Sequence, residues 1–109
     1  MFPPDSAVVQ PAGLSLLSQI TGVLKSEAGS VQVIDYADNR PVRTVQFPSS
    51  FQLSAARANA VRAALARELG DAGRVTAEGR ADADPIAPNN TAEGREQNRR
   101  VEIVLHRQG

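Results

Sequence analysis

Apolar residues recur along the chain with two alternating periodicities. Short runs of β-branched or alternating apolar residues predict four strands, at 6–10, 31–34, 74–79 and 100–106. Apolar steps of three and four residues, together with cap signals, predict three helices, over 11–27, 53–70 and 90–98. This order predicts an α+β domain, a two-layer βαβαβαβ sandwich in which the helices pack on a small mixed four-stranded sheet.

Residues that favour helix caps mark the expected helix boundaries. Ser54 is the expected N-cap of the second helix, and Gly70 is its expected end. Asn90 is the expected cap of the third helix, with Glu93 three residues on as in a capping box. The expected core faces of the first two helices are Leu14, Leu17, Ile20 or Thr21, and Leu24, and then Ala58, Val61, Leu65 and Leu69.

Composition narrows the class of protein. A chain of 109 residues with 41% hydrophobic content has the size and apolar fraction of one folded domain, residues 1–109. Its 12 basic and 12 acidic residues give a formal net charge of zero, so we expect no nucleic-acid partner. The chain contains no cysteine, which excludes disulfides and thiolate chemistry.

Arg57 carries the most informative charge. With Ser54 as the N-cap, Arg57 stands at the third helical position, where the helix dipole disfavours a cation by roughly 0.3–1 kcal/mol. Asp38, on the preceding loop, or the carboxylate of a ligand would compensate this cost. An acid and an arginine facing one cleft would suit a zwitterion, such as the free end of an amino acid. The alternative, which is the more common arrangement on charge alone, is an internal Asp38–Arg57 pair or two solvated charges.

The remaining polar residues give weaker signals. The local basic cluster of Arg95, Arg99 and Arg100 either contacts acidic groups of a ligand or ties the last helix to the sheet. His106 is the single histidine and lies far from any serine motif, and the chain has no glycine-rich phosphate loop. We therefore expect no enzymatic activity, no metal and no cofactor.

Two blocks of sequence carry a family resemblance. The blocks "LSAARANAV" and "NNTAEGREQNRRVEI" resemble the signatures of the OmpA-like peptidoglycan-binding domain, and the match covers nearly the whole chain. The stretch "NRPVRTVQFPSSFQ" is similar to the corresponding loop of flagellar stator MotB proteins and of the type VI secretion protein TssL. The pieces "FPSSFQLS" and "AEGRADADPIAPN" favour the TssL group.

The resemblance implies a ligand and a site. The family ligand is the peptide stem of peptidoglycan, usually its diaminopimelate residue, and the family acid and arginine fall on Asp38 and Arg57. These two would hold the ammonium and the carboxylate of diaminopimelate. The other implied pocket residues are Ala37, Tyr36, Leu53, Ser54, Ser50, Asp5 and Asn98. Tyr36 is either a pocket wall or a partly buried strand end.

Three positions depart from the family pattern. Asp35 stands in place of a glycine, Ala37 in place of a threonine, and Ser50 in place of an asparagine. Tyr36 replaces a histidine, and both side chains are flat and can donate a hydrogen bond. Since Asp38 and Arg57 are kept while secondary contacts are lost, we expect ligand binding to be retained but weakened.

The resemblance also implies a setting. The domain would be the periplasmic part of an inner-membrane protein of a Gram-negative bacterium, anchoring a type VI secretion complex to the cell wall. Membrane attachment would use a segment outside this chain, and other membrane subunits of the complex, or a second copy, would be partners. The alternatives are an assembly module of the same fold that has lost its ligand, and a flagellar stator anchor.

Overall fold

The computed structural model describes residues 1–3, 6–40 and 44–107. Within these residues the chain forms an α+β domain, as the sequence predicts. Its elements, in chain order, are α1 (Pro11–Leu24), β1 (Ser30–Tyr36), α2 (Ser50–Leu69), β2 (Val75–Ala81), α3 (Ala92–Asn98) and β3 (Arg100–His106), with a single 3-10 turn (Ala72–Arg74) before β2. None of the helices in the described ranges combines the length and apolar character needed to cross a membrane.

The sheet is mixed, and β1 is its central strand. The strand order is β2-β1-β3, with β1 parallel to β2 and antiparallel to β3. Asp35, near the end of β1, lies opposite Gly79 of β2 and Val101 of β3. The carboxyl end of the central strand is therefore enclosed by a neighbouring strand on each side.

The prediction of a strand at 6–10 is wrong, so the described sheet has three strands instead of four. The amides of this segment are satisfied locally: Ser6 N–H donates to the carbonyl of Pro3, and Gln10 N–H donates to the carbonyl of Met1. Val8 is 72% exposed. A segment that folds back on itself in this way has no free ladder of amides for a sheet.

The core lies between the sheet and the first two helices. Its buried members are Leu17, Leu24, Val31, Val33, Ala58, Val61, Leu65 and Val75. The α1 face uses Thr21 rather than Ile20, because the Thr21 hydroxyl donates to the carbonyl of Leu17 at 2.8 Å and is thereby satisfied inside the core. Leu14, predicted on this face, is 45% exposed.

Helix α2 begins earlier than predicted. Its N-cap is Ser49, whose side chain accepts a hydrogen bond from the amide of Gln52, and not Ser54. Ser54 is buried within the helix, where its hydroxyl contacts Asp35. Arg57 consequently lies about two turns inside α2, so the argument from the helix dipole does not apply to it. The predicted end of the helix at Gly70, in the left-handed region with φ 72°, is confirmed.

The cap of α3 is also displaced by one residue. Thr91, and not Asn90, is the N-cap, because its hydroxyl accepts a hydrogen bond from Gly94 N–H at 3.0 Å. A Cβ atom at Gly94 would lie against the carbonyl of Pro88, so glycine allows the helix to start in close contact with the preceding loop.

A close approach of backbones places α2 over the end of the sheet. A Cβ atom at Gly79 of β2 would lie 2.3 Å from the amide nitrogen of Ala55 in α2. Because glycine lacks that atom, the helix packs directly on β2, and Ser54 reaches the end of β1. This contact positions the α2 side chains described next.

Candidate functional site

A cleft of about 560 Å³ opens at the carboxyl end of β1. It is lined by Met1, Phe2, Asp35, Tyr36, Arg40, Arg57, Glu96, Arg99, Arg100 and Val101. Among the described residues, this lining contains four arginines and two acids. The cleft therefore carries a local positive charge, although the chain as a whole is formally neutral.

Arg57 reaches the cleft from α2 and contacts the N-terminal segment. Its Nε donates to the carbonyl of Ser6 at 2.8 Å, and its Nη2 donates to the carbonyl of Pro3 at 3.0 Å. The guanidinium group lies over the ring of Phe2, 5.1 Å from its centre. These contacts fix the plane of the guanidinium at the wall of the cleft.

Asp38 lies beside the cleft in a network with two arginines. Its Oδ1 accepts the amide of Arg40 at 2.9 Å, and its Oδ2 accepts Nη1 of Arg99 at 2.5 Å and Nη2 of Arg40 at 3.3 Å. Burial alone would raise the pKa of Asp38, but the hydrogen bonds from Arg40 and Arg99 outweigh it and hold that pKa below its ordinary value. Asp38 is thus an ionised carboxylate with its lone pairs directed at cations of its own chain.

Asp35 has the opposite environment. Its side chain is buried at the base of the cleft, and Ser54 Oγ lies 3.0 Å from its Oδ2. Burial raises the pKa of Asp35 to about 7, while the hydrogen bond from Ser54 and the charge of Arg57 act in the lowering direction. The structure therefore brings Asp35, rather than Asp38, into the cleft lining with Arg57.

Tyr36 satisfies both of the interpretations drawn from the sequence. It ends β1 and is 4% exposed, yet it also lines the cleft. The guanidinium of Arg100 stacks on its ring at 3.8 Å from the centre, and Nη1 of Arg80 donates to its hydroxyl at 3.1 Å. Tyr36 thus orients two arginines at the end of the sheet.

The other predicted pocket residues lie outside this lining. Ala37 donates its amide to the carbonyl of Ala81, and Leu53 and Ser54 are buried under the cleft. Ser50 lies in the first turn of α2. Asp5 lies outside the described residues.

Asn98 has a structural position. Its side chain is fully buried, its Oδ1 accepts the amides of Ile86 and Ala87, and its Nδ2 donates to Asn89 Oδ1 at 2.9 Å. These bonds satisfy both ends of the amide and hold the β2–α3 loop against α3. Asn98 therefore braces the loop behind the cleft.

Sequence reasoning missed several residues of the cleft. Phe2, Arg40 and Glu96 had no motif or periodicity to mark them. Arg99 was considered only as part of a basic cluster, and its contact with Asp38 spans 61 positions of the chain. The available signal was the presence of unpaired acids and bases on loops, which does not identify partners.

Solved structures match this geometry over almost the whole chain. The cell wall anchor of the T6SS from Pseudomonas aeruginosa superposes with a TM-score of 0.93 and 45% sequence identity, covering 99% of this chain and 76% of that one. The similarity thus includes the sheet order and all three helices of the described ranges.

Curated relatives match at the sequence level. The probable lipoprotein YiaD of Escherichia coli is 42% identical over 95% of this chain and 46% of its own length. The peptidoglycan-binding protein ArfA of Mycobacterium tuberculosis is 34% identical over 96% of this chain and 31% of its own. The chain therefore spans less than half the length of these relatives.

The family follows from the match to its sequence profile. The OmpA family model covers residues 1–99, which include the cleft, the helices α1 to α3 and two of the strands. The resemblance inferred from the two signature blocks is confirmed. This chain belongs to the OmpA family.

Proposed function

We propose that this domain binds peptidoglycan without catalysing its cleavage. The observation that carries the proposal is the position of Arg57 in an open, positively charged cleft at the end of β1. Support comes from the OmpA family match, from the similarity to a T6SS cell wall anchor and from the similarity to the peptidoglycan-binding protein ArfA.

In this proposal the ligand is the peptide stem, and the diaminopimelate residue of the stem enters the cleft. The planar guanidinium of Arg57 can hold a carboxylate by two parallel hydrogen bonds. The ligand carboxylate would then replace the carbonyl groups of Pro3 and Ser6, which accept the hydrogen bonds of Arg57 in the free domain.

The ligand ammonium would be taken by Asp38 in exchange for one of its arginines. Asp38 already accepts hydrogen bonds from Arg40 and Arg99, so the ammonium must displace a formed ion pair. Arg40 is the easier partner to displace, because its side chain is 65% exposed and its shortest ion-pair distance to Asp38 is 3.3 Å. This exchange is the reason for expecting weakened binding.

We place this activity in the cell envelope, as the wall-binding part of a longer membrane-anchored protein. The T6SS anchor of Pseudomonas aeruginosa, at 45% identity, is the basis for proposing a type VI secretion complex and its periplasmic, inner-membrane setting. Other membrane subunits of that complex, and a second copy of the chain, are the proposed protein partners.

Co-sedimentation with purified sacculi tests the proposal. We expect the wild-type domain to pellet with sacculi and Arg57→Ala to lose at least about tenfold in affinity, since a charge-assisted bidentate contact is removed. Arg67→Ala is the matched control, because Arg67 is exposed on the same helix and lies outside the cleft. Wild-type protein that stays in the supernatant would refute peptidoglycan binding.

A second candidate function is an assembly module that contacts proteins and no longer binds the wall. The observation in its favour is the hydrogen bonding of Asp38, whose side chain is 7% exposed and held by Arg40 and Arg99. This candidate predicts that Arg57→Ala and Asp38→Asn leave partner capture unchanged, while wild-type protein fails to sediment with sacculi.

A further inference from the structure

The hydroxyl of Ser54 defines the protonation state of Asp35. Ser54 Oγ lies 2.7 Å from the backbone carbonyl oxygen of Asp35 and 3.0 Å from its Oδ2, and it accepts the amide of Ala81 at 3.2 Å. A hydroxyl has one proton and two lone pairs, so it can donate to only one of the two oxygens of Asp35 at a time. Both contacts are hydrogen bonds at once when the Asp35 carboxyl group is protonated and donates to Ser54.

The burial of Asp35 agrees with a neutral acid. Asp35 is 3% exposed, and its strand neighbours Gly79 and Val101 bring no charge against it. The charged groups that share its cleft come from four parts of the fold: Arg57 from α2, Arg40 from the loop after β1, Glu96 and Arg99 from α3 and its cap, and Arg100 from β3. Protonation of Asp35 therefore adds one positive unit to the charge that the cleft presents to an anion.

We propose that Asp35 is a specificity-determining residue of the cleft. Its neutral form, hydrogen bonded to Ser54, lets the arginines attract a carboxylate ligand, and its ionised form weakens that attraction. The proposal rests on the proposed function, because the ligand is the carboxylate that enters beside Arg57. Asp35 thereby couples binding of an anionic ligand to uptake of one proton.

The coupling has a direction. A ligand carboxylate beside Arg57 repels the charge of Asp35 and so favours the neutral acid. The pKa of Asp35 is about 7 in the free domain, so ligand affinity is expected to fall as the pH rises through neutrality. If the bound anion raises that pKa by about one unit, affinity falls by about tenfold.

The test is a ligand titration at several pH values. The probe is a soluble stem peptide that contains diaminopimelate, and its Kd is measured by calorimetry between pH 5.5 and 8.5. We expect the Kd of the wild-type domain to rise by about tenfold over this range. Asp35→Asn, which keeps a side-chain donor for Ser54 and cannot ionise, is expected to bind with one affinity at every pH.

Two control variants separate Asp35 from other groups. Glu96→Gln removes the other acid of the cleft and is expected to shift the affinity while the pH dependence remains. His106→Gln removes the single histidine, at the opposite end of the β1–β3 pairing, and is expected to leave the pH dependence intact.

Each outcome bears on a different proposal. Binding that is independent of pH in the wild-type domain, or a slope retained in Asp35→Asn, overturns the role of Asp35 and leaves peptidoglycan binding standing. A peptide that binds at no pH overturns both. The carboxyl carbon shift of Asp35, followed by NMR in the free domain, checks folding and titration directly, and a midpoint at or below pH 5 also overturns the inference.

Discussion

Asp35 and Asp38 lie on the same short stretch of sequence, but folding gives their carboxyl groups opposite environments. Asp35 is buried against a neutral hydroxyl, and its pKa is raised, while Asp38 meets two arginines, and its pKa is lowered. Position in the sequence identified Asp38 as a site residue through the family pattern. It could not identify the role of Asp35, because Ser54 and Arg57, which define that role, lie on another element.

Stability should reveal the titration of Asp35. Its pKa is about 7 when folded and 3.8 ordinarily, so the folded state holds the extra proton between these values. The free energy of unfolding therefore loses this contribution as the pH rises from about 4 to about 7. We expect Asp35→Asn to gain stability relative to the wild type over that range, by up to about 4 kcal/mol.

Urea unfolding at pH 5 and at pH 7.5 measures this difference. Asp82→Asn is the matched control, since Asp82 is an exposed acid of the β2–α3 loop. A stability difference between Asp35→Asn and wild type that stays constant across the two pH values would contradict the assignment.

At the scale of elements, the long helices and the central strand could be predicted because their apolar periodicity is local. The failures occurred where tertiary contacts decide. Ser49 and Ser54 are both suitable caps, and only the packing of α2 on the sheet turns Ser54 inward to Asp35. The segment 6–10 is apolar enough for a strand, but its amides bond within the N-terminal loop.

Two glycines should respond in opposite ways to alanine. At Gly79 the added Cβ would lie 2.3 Å from the backbone of Ala55, and backbone cannot move aside cheaply, so we expect a loss of about 2 kcal/mol or more. At Gly22, inside α1, nothing lies within 4 Å, so the same change should stabilise the domain by about 0.5–1 kcal/mol.

Thermal or urea unfolding of the two alanine variants measures these changes. A Gly79→Ala domain as stable as the wild type would mean that α2 does not depend on this close approach to β2. The Gly22→Ala variant controls for the general effect of replacing glycine.

At the scale of the whole molecule, the cleft is assembled from the N-terminal segment, the loop after β1, and parts of α2, α3 and β3. The formal net charge of zero conceals this local concentration of arginines. Composition therefore excluded a broad basic surface correctly in kind, but it could not predict a small positive cleft, because that depends on which distant residues the fold brings together.

Ligand binding should accordingly depend on salt despite the zero net charge. We expect the affinity for sacculi to fall by about an order of magnitude between 50 and 500 mM NaCl, because the Debye length shortens to a few ångströms. Arg107→Gln, which removes an exposed cation outside the cleft, should keep the same salt dependence. Affinity that does not change with salt would argue against a charged binding site.

The contacts of Arg57 also have a mechanical consequence. The guanidinium that lines the cleft is joined to the backbone at Pro3 and Ser6 and lies over Phe2. A force that pulls on the chain at Phe2 therefore acts first on the bonds of Arg57, before it reaches the core. A ligand that takes those bonds would release the first residues from the cleft, so tension on the chain and occupancy of the cleft act on the same side chain.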